Sequence, residues 1–197
     1  MTDLWRDPDD ITDDLASGDT ERIRIGLAGL REFTKGGDEF ELPVIDATLL
    51  LPFGASPPEA VVIDLARLMA RYRSFVPQPS RADVIRQLVE LAVRYAVPQV
   101  IYEASIEIQG EADPAAAARS AVDYLGGRGL ASPREVEAGG KLVAHLLEAK
   151  PLVRRATAEG LAAWPLTDTR RAVVTAVLPL IDPDQRAQVT SEGSRRS

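Results

Sequence analysis

SPREVEAGGKLVAHLLEAKPLVRRATAEGLAAW, residues 132–164, decides how the rest of the chain reads. Ser132-Pro133 with Glu135 is a helix start. It combines a hydroxyl that can cap, a proline whose missing N–H costs nothing at the first position, and an acid at the capping-box position. Val136, Leu142, Val143, Leu146 and Leu147 follow at helical spacing. Pro151 then restarts the pattern, and Val153, Ala156, Ala158 and Leu161 line a second apolar stripe. Two amphipathic helices joined by so short a connection form a hairpin that cannot cover its own apolar faces, so it needs neighbours of the same kind.

Working outward, the same kind of start recurs. Asp113-Pro114 precedes AAAARSAVDYL, Pro98 follows Val97, Ser80 precedes Asp83 at a capping-box interval, and Asp168 opens TRRAVVTAVLPLI. Pro98 and Pro133 are 35 residues apart, Pro114 and Pro151 are 37 apart, and Pro133 and Asp168 are 35 apart. A two-helix unit recurring at that interval marks a helical repeat array. Gly126-Gly127 reads as a helix stop. Gly139-Gly140 falls within a helical pattern and reads as a point of close packing.

Two stretches resemble the HEAT-repeat family. In residues 134–164 the second helix begins with Pro151 and Val153-Arg154 and runs through Ala156, Ala158 and Leu161, similar to that family's second helix. LASGDTERIRIGLAGLREF, residues 15–33, is a weaker match through Asp19, Ile23-Arg24, Leu27 and Leu30. The resemblance implies a curved solenoid serving as a protein-binding scaffold, and it implies no reaction.

Before Ser80 the helices are shorter and broken by proline. An acidic helix near 9–17 ends at Gly18, and a second, about Thr20–Phe33, stops at Gly36-Gly37. Pro43–Leu51 reads as a short apolar helix, and Pro57-Pro58 begins a longer one through Tyr72. No window alternates in the manner of a strand. The expected fold is therefore all-α, a right-handed stack of antiparallel helical hairpins with nine or ten helices. It occupies one domain over 1–184, less regular over 1–79 and regular over 80–181, with a flexible tail over 185–197.

Charge is unevenly placed. Of the net −7, residues 1–21 hold eight acids against Arg6, so the remainder of the chain is neutral. The chain has no cysteine and one histidine, His145. Cysteine-based zinc or nucleophile chemistry is thereby excluded, and no Walker loop, H-E-x-x-H pair, G-x-S-x-G elbow or dinucleotide fingerprint occurs. His145 within KLVAHLLEA reads as a packed or half-exposed histidine rather than a catalytic one. We expect neither enzyme activity, nor a cofactor, nor a metal. The N-terminus lacks a basic or apolar leader and no stretch is long enough to span a bilayer, so a cytoplasmic location is expected. The Arg- and Ala-rich composition suggests a bacterial coding sequence.

Partner-binding candidates follow from charge and aromatic placement. Asp9, Asp10, Asp13 and Asp14 form an acidic head able to steer a basic partner. Tyr102, Glu103 and Glu107 share a polar helical face; Tyr72 lies in an arginine-rich stretch, and Arg154 opens a helix. A neutral body with an acidic head is a poor footprint for phosphate, so nucleic acid is the disfavoured alternative. An enzyme with an unrecognised site is the other. The favoured function is a non-enzymatic scaffold or adaptor, or an inhibitor or immunity protein for a basic partner. The oligomeric state is left open.

Overall fold

In the computed structural model, residues 7–36, 45–72, 80–165 and 167–180 are described, with Pro183, Arg186 and Thr190. Among these residues all regular structure is helical and no strand occurs. The α-helices are α1 (Pro8–Ala16), α2 (Thr20–Gly36), α3 (Glu59–Tyr72), α4 (Ser80–Tyr95), α5 (Pro98–Gln109), α6 (Pro114–Arg128), α7 (Pro133–Leu147), α8 (Pro151–Ala163) and α9 (Asp168–Val177).

The start signals act as their chemistry requires. The Asp113 carboxylate accepts from Ala116 N at the start of α6. At α7 the Ser132 hydroxyl accepts from Glu135 N while the Glu135 carboxylate accepts from Ser132 N, a complete capping box. Each such cap contributes about 1 kcal/mol by satisfying donors that a helix leaves orphaned. Pro8, Pro98, Pro114, Pro133 and Pro151 all lie in the first helical turn.

Two expected elements differ. Gly126-Gly127 does not stop a helix: α6 continues to Arg128 and ends at Gly129, whose φ of 72° is a backbone conformation that favours glycine. Gly126 instead lies against the Trp164 indole, where a Cβ would fall 2.6 Å from Nε1. The expected helix over Pro43–Leu51 is a 3₁₀ segment, Ala47–Phe53, and Pro43 lies outside the described residues. Asp46 caps it through Thr48 N, and Pro52, which has no N–H, falls inside it. The tail expected over 185–197 lies outside the described residues, apart from Arg186 and Thr190.

Packing organises the helices into two rows. In one row α3 touches α5, α5 touches α7 and α7 touches α9; in the other α4 touches α6 and α6 touches α8. α2 packs on α1, on α3 and on the 3₁₀ segment. In the first row, elements begin at Glu59, Pro98, Pro133 and Asp168, intervals of 39, 35 and 35 residues. The polar ties between elements show a similar period. Arg31–Asp64 spans 33 residues, Arg67–Glu103 36, Arg128–Glu90 38, Ala47–Gln87 40 and Trp164–Val122 42.

One apolar core runs along both rows, with Leu30, Leu65, Leu88, Ile108, Leu125 and Leu142 fully buried. Burial of each such side chain stabilises the fold by about 1.5–3 kcal/mol. Gly126 and Gly160 bring α6 and α8 close: Trp164 Nε1 donates to Val122 O at 3.0 Å, and Gly160 faces Val122.

Candidate functional site

Along the row of α3, α5 and α7, polar side chains form a ladder of cross-ties. Arg31 on α2 reaches Asp64 on α3 at 3.1 Å, and Arg67 on α3 reaches Glu103 on α5 at 3.4 Å. Arg71 also donates to Thr34 O. Between α5 and α7 the character of the tie changes. The Tyr102 ring meets His145 edge-on, with centroids 6.1 Å apart and planes at 79°.

The sequence of α5 explains the change. Val100, Ile101, Ala104, Ser105 and Ile108 form its buried stripe, and the Ser105 hydroxyl is satisfied by Tyr102 O at 2.7 Å. Tyr102 and Ile106, one turn apart, lie off that stripe and remain 51% and 42% exposed. Pro98, a further turn back, is exposed as well. α5 is therefore apolar on two sides, of which packing covers one. Glu103 and Glu107 flank the exposed side, half-buried; Gln99 Nε2 donates to Glu103 Oε1 at 2.9 Å. Among the described residues the other exposed large apolar ones, Leu51, Leu152 and Leu180, fall on other elements. Isolated exposure of that sort is ordinary, whereas an adjacent pair beside an aromatic contact forms a patch.

The second row carries the most strongly coupled charges. Arg128 Nε donates to Glu90 Oε2 at 2.5 Å, Arg128 Nη2 donates to Glu135 Oε1 at 2.9 Å, and Tyr124 OH donates to Glu90 Oε2 at 2.8 Å. Burial acts to raise the Glu90 carboxyl, but hydrogen bonds from Arg128 and Tyr124 outweigh it and the net shift is downward. Glu135 is lowered in the same way: burial opposes, while Arg128 and the Ala131 and Ser132 amides prevail. The Arg128 guanidinium is raised, chiefly by its bond to Glu90. Burial first, then the bond to Glu90, raises the Tyr124 hydroxyl. Perturbed groups of this kind can mark active sites. Here the carboxylates are engaged by donors from α6 and from the α7 cap, which ties α4, α6 and α7 together. Sequence reading missed this cluster; its one visible trace is that Glu90 and Arg128 stand one repeat apart.

The residues singled out from sequence separate. Asp9, Asp10 and Asp13 are exposed on α1, two of them in its first turn, where acids complement the helix dipole. Asp14 is not part of an exposed cluster: it is buried and accepts from Arg22 Nε at 2.9 Å. Tyr72 is a core residue rather than a surface contact, because the inner stripe of α3 carries it inward. Its hydroxyl has no hydrogen-bond partner among the described residues, and burial pushes its pKa up to about 12 against the opposing effect of Arg71. Arg154 is likewise committed within the chain, donating to Leu147 O and Ala149 O at the end of α7. Only Tyr102, Glu103 and Glu107 are brought together, and they are joined by Ile106 and His145.

Among the described residues no group of three His, Cys, Asp or Glu side chains could hold a metal ion. No described helix is long and apolar enough to cross a membrane. Comparison with protein-family models, curated proteins and solved structures gives no match.

Proposed function

We propose that the chain is a HEAT-like α-solenoid acting as a cytoplasmic, non-enzymatic, protein-binding scaffold. In this reading the antiparallel, right-handed hairpins are α1–α2, α3–α4, α5–α6 and α7–α8, with α9 opening a further unit. The recurrence of element starts and of cross-ties at one interval supports the stacking. A single observation carries the function: α5 leaves Tyr102 and Ile106 in solvent, one turn apart on a face that the packing of α3 and α7 does not cover. Apolar surface of that kind gains stability when a partner covers it, and aromatic residues are favoured anchors at interfaces.

The test is a photo-crosslinking amino acid placed at Tyr102 in the native host, with Arg155 on α8, whose side chain is 80% exposed, as the control position. A discrete protein adduct at Tyr102 and none at Arg155 is expected. Equal labelling at both positions, or no adduct at either, would overturn the reading.

A further inference from the structure

We propose that Arg128 and Glu135 form an acid-released pin at the α6–α7 corner: protonation of Glu135 opens the corner while the rest of the stack stays folded. The device is independent of what meets Tyr102. It lies where one hairpin of the proposed stack passes to the next.

Hydrogen-bond geometry makes the corner sensitive to a proton. Glu135 Oε1 accepts from Arg128 Nη2 at 2.9 Å, and its Oε2 accepts from Ala131 N at 2.6 Å and from Ser132 N at 3.2 Å. Every one of these partners is a donor, so a carboxylic acid proton has to face an N–H on either oxygen. With 14% of the Glu135 side chain exposed, little water can take over a displaced bond. Arg128 is committed to the same degree: Glu90 accepts from its Nε and Nη2, and Gly129 O accepts from its Nη1 at 3.1 Å. One carboxyl therefore fixes the start of α7, the end of α6 and, through Arg128, α4. Protonation loosens all three together.

The other charged and titratable groups facing the pin are Glu90, Arg86 and Arg94 on α4, Tyr124 on α6, and Arg134 and Glu137 on α7 itself. Arg86 pairs with Asp83, Glu137 with Lys141, and Arg134 donates to Tyr95 O at 3.0 Å. Among the described residues α5, α8 and α9 bring no charged side chain into the bonds of the pin. The seams beyond it hold without titratable groups: Gly140 lies against Ala176 and Val173 O of α9, and Trp164 and Gly160 meet α6. Acid leaves those contacts alone. Burial opposes ionisation of Glu90 and Glu135, yet the bonds from Arg128 outweigh it and hold both carboxyls below their ordinary value of 4.5. The pin is therefore secure above that value and released as pH falls through the depressed ones.

Hydrogen exchange of the full chain, read by mass spectrometry and corrected for intrinsic rate, tests this from about pH 6.5 down to about pH 3. Peptides spanning 128–138 should lose roughly tenfold or more of their protection at a higher pH than peptides spanning 156–163 on α8 do. Glu135→Gln should loosen the corner already at neutral pH and flatten its acid response. Arg128→Gln should do likewise while Ser132 still caps α7. Glu137→Gln alters an exposed carboxylate on the same helix and should leave the response as in the unaltered chain. Loss of protection at the corner and on α8 in a single transition would overturn the proposal. So would a corner that keeps its protection until the chain unfolds, or an acid response in Glu135→Gln equal to that of the unaltered chain. If Glu135→Gln loses helical circular dichroism, Arg128→Gln decides by the same criteria.

Discussion

The two rows of helices use their polar residues differently. In the row of α4, α6 and α8, one charged cluster is half-buried and shared: Arg128 serves two carboxylates, Glu90 takes donors from two side chains, and beside it an indole N–H is engaged by a backbone carbonyl across the seam. In the row of α3, α5, α7 and α9, Arg67 ties to Glu103 with half of its side chain in solvent, and at α5 an aromatic and an aliphatic side chain are left to water. Groups saturated within the chain have no capacity left for a partner, whereas uncovered apolar area does. The row of α4, α6 and α8 thus satisfies its polar groups internally, and the row of α3, α5, α7 and α9 carries the face on which the proposed binding function rests.

The largest expected effect strikes the closed row. Gly126→Val must displace the Trp164 indole, since even a Cβ would meet it at 2.6 Å. We expect a loss of roughly 3 kcal/mol in urea unfolding from overpacking and the lost indole hydrogen bond. Gly127 is the matched control, because nothing lies within 4 Å of its would-be Cβ. There Gly127→Ala should gain up to about 1 kcal/mol from helix propensity alone. A similar loss at both positions would break the contrast.

Next in size is Arg128→Ala, which leaves Glu90 and Glu135 without their shared cation. A cost of about 2 kcal/mol is expected, less than for a fully buried pair because solvent reaches the cluster. Arg67→Ala in the open row should change stability by less than about 0.5 kcal/mol. The pair also sets the acid response. Glu90 and Glu135 are lowered in the folded chain, so they add stability at pH values above their ordinary value of 4.5 and lose it as pH falls through their depressed values. Thermal melts should hold steady from neutrality to the ordinary glutamate range and then decline, and Glu90→Gln with Glu135→Gln should flatten that decline.

Tyr72→Phe removes a buried hydroxyl that has no partner among the described residues, so stability should be unchanged or up to about 1 kcal/mol higher. With its pKa raised to about 12, Tyr72 favours folding most below the ordinary tyrosine value, 10.0, and that contribution fades as pH climbs from there toward 12. The phenylalanine variant should lack this alkaline decline in denaturant titrations. Smallest of all, Tyr102→Ser with Ile106→Ser should shift stability by under about 0.5 kcal/mol. A larger change would mean that the patch supports the fold instead of a partner.

What could be read in the sequence follows the range of the forces involved. Helix starts were legible because Asp113, Ser132 and the prolines at 98, 114, 133 and 151 act within one turn of themselves. The apolar stripe of α3 was legible too, yet Tyr72 was assigned to the surface, since its place on that stripe counted for less than its arginine neighbours. Gly126 was misread because a stop and a close approach use the same residue, and the difference rests with Trp164, 38 positions away. At the candidate site, Tyr102, Glu103 and Glu107 could be grouped by helical spacing. Ile106 was not singled out in the sequence, and only the packing of α3 and α7 around α5 shows it uncovered.

Trp164 has a practical consequence. The chain has two tryptophans, and the other, Trp5, lies outside the described residues. With Trp5 replaced by phenylalanine, the indole clamped on Gly126 becomes a single optical probe of the α6–α8 seam. Its emission should lie at short wavelength while the seam is shut and move to the red when α8 lifts away. Stopped-flow fluorescence could then time the parting of two neighbouring helices, separately from the loss of helix that circular dichroism records.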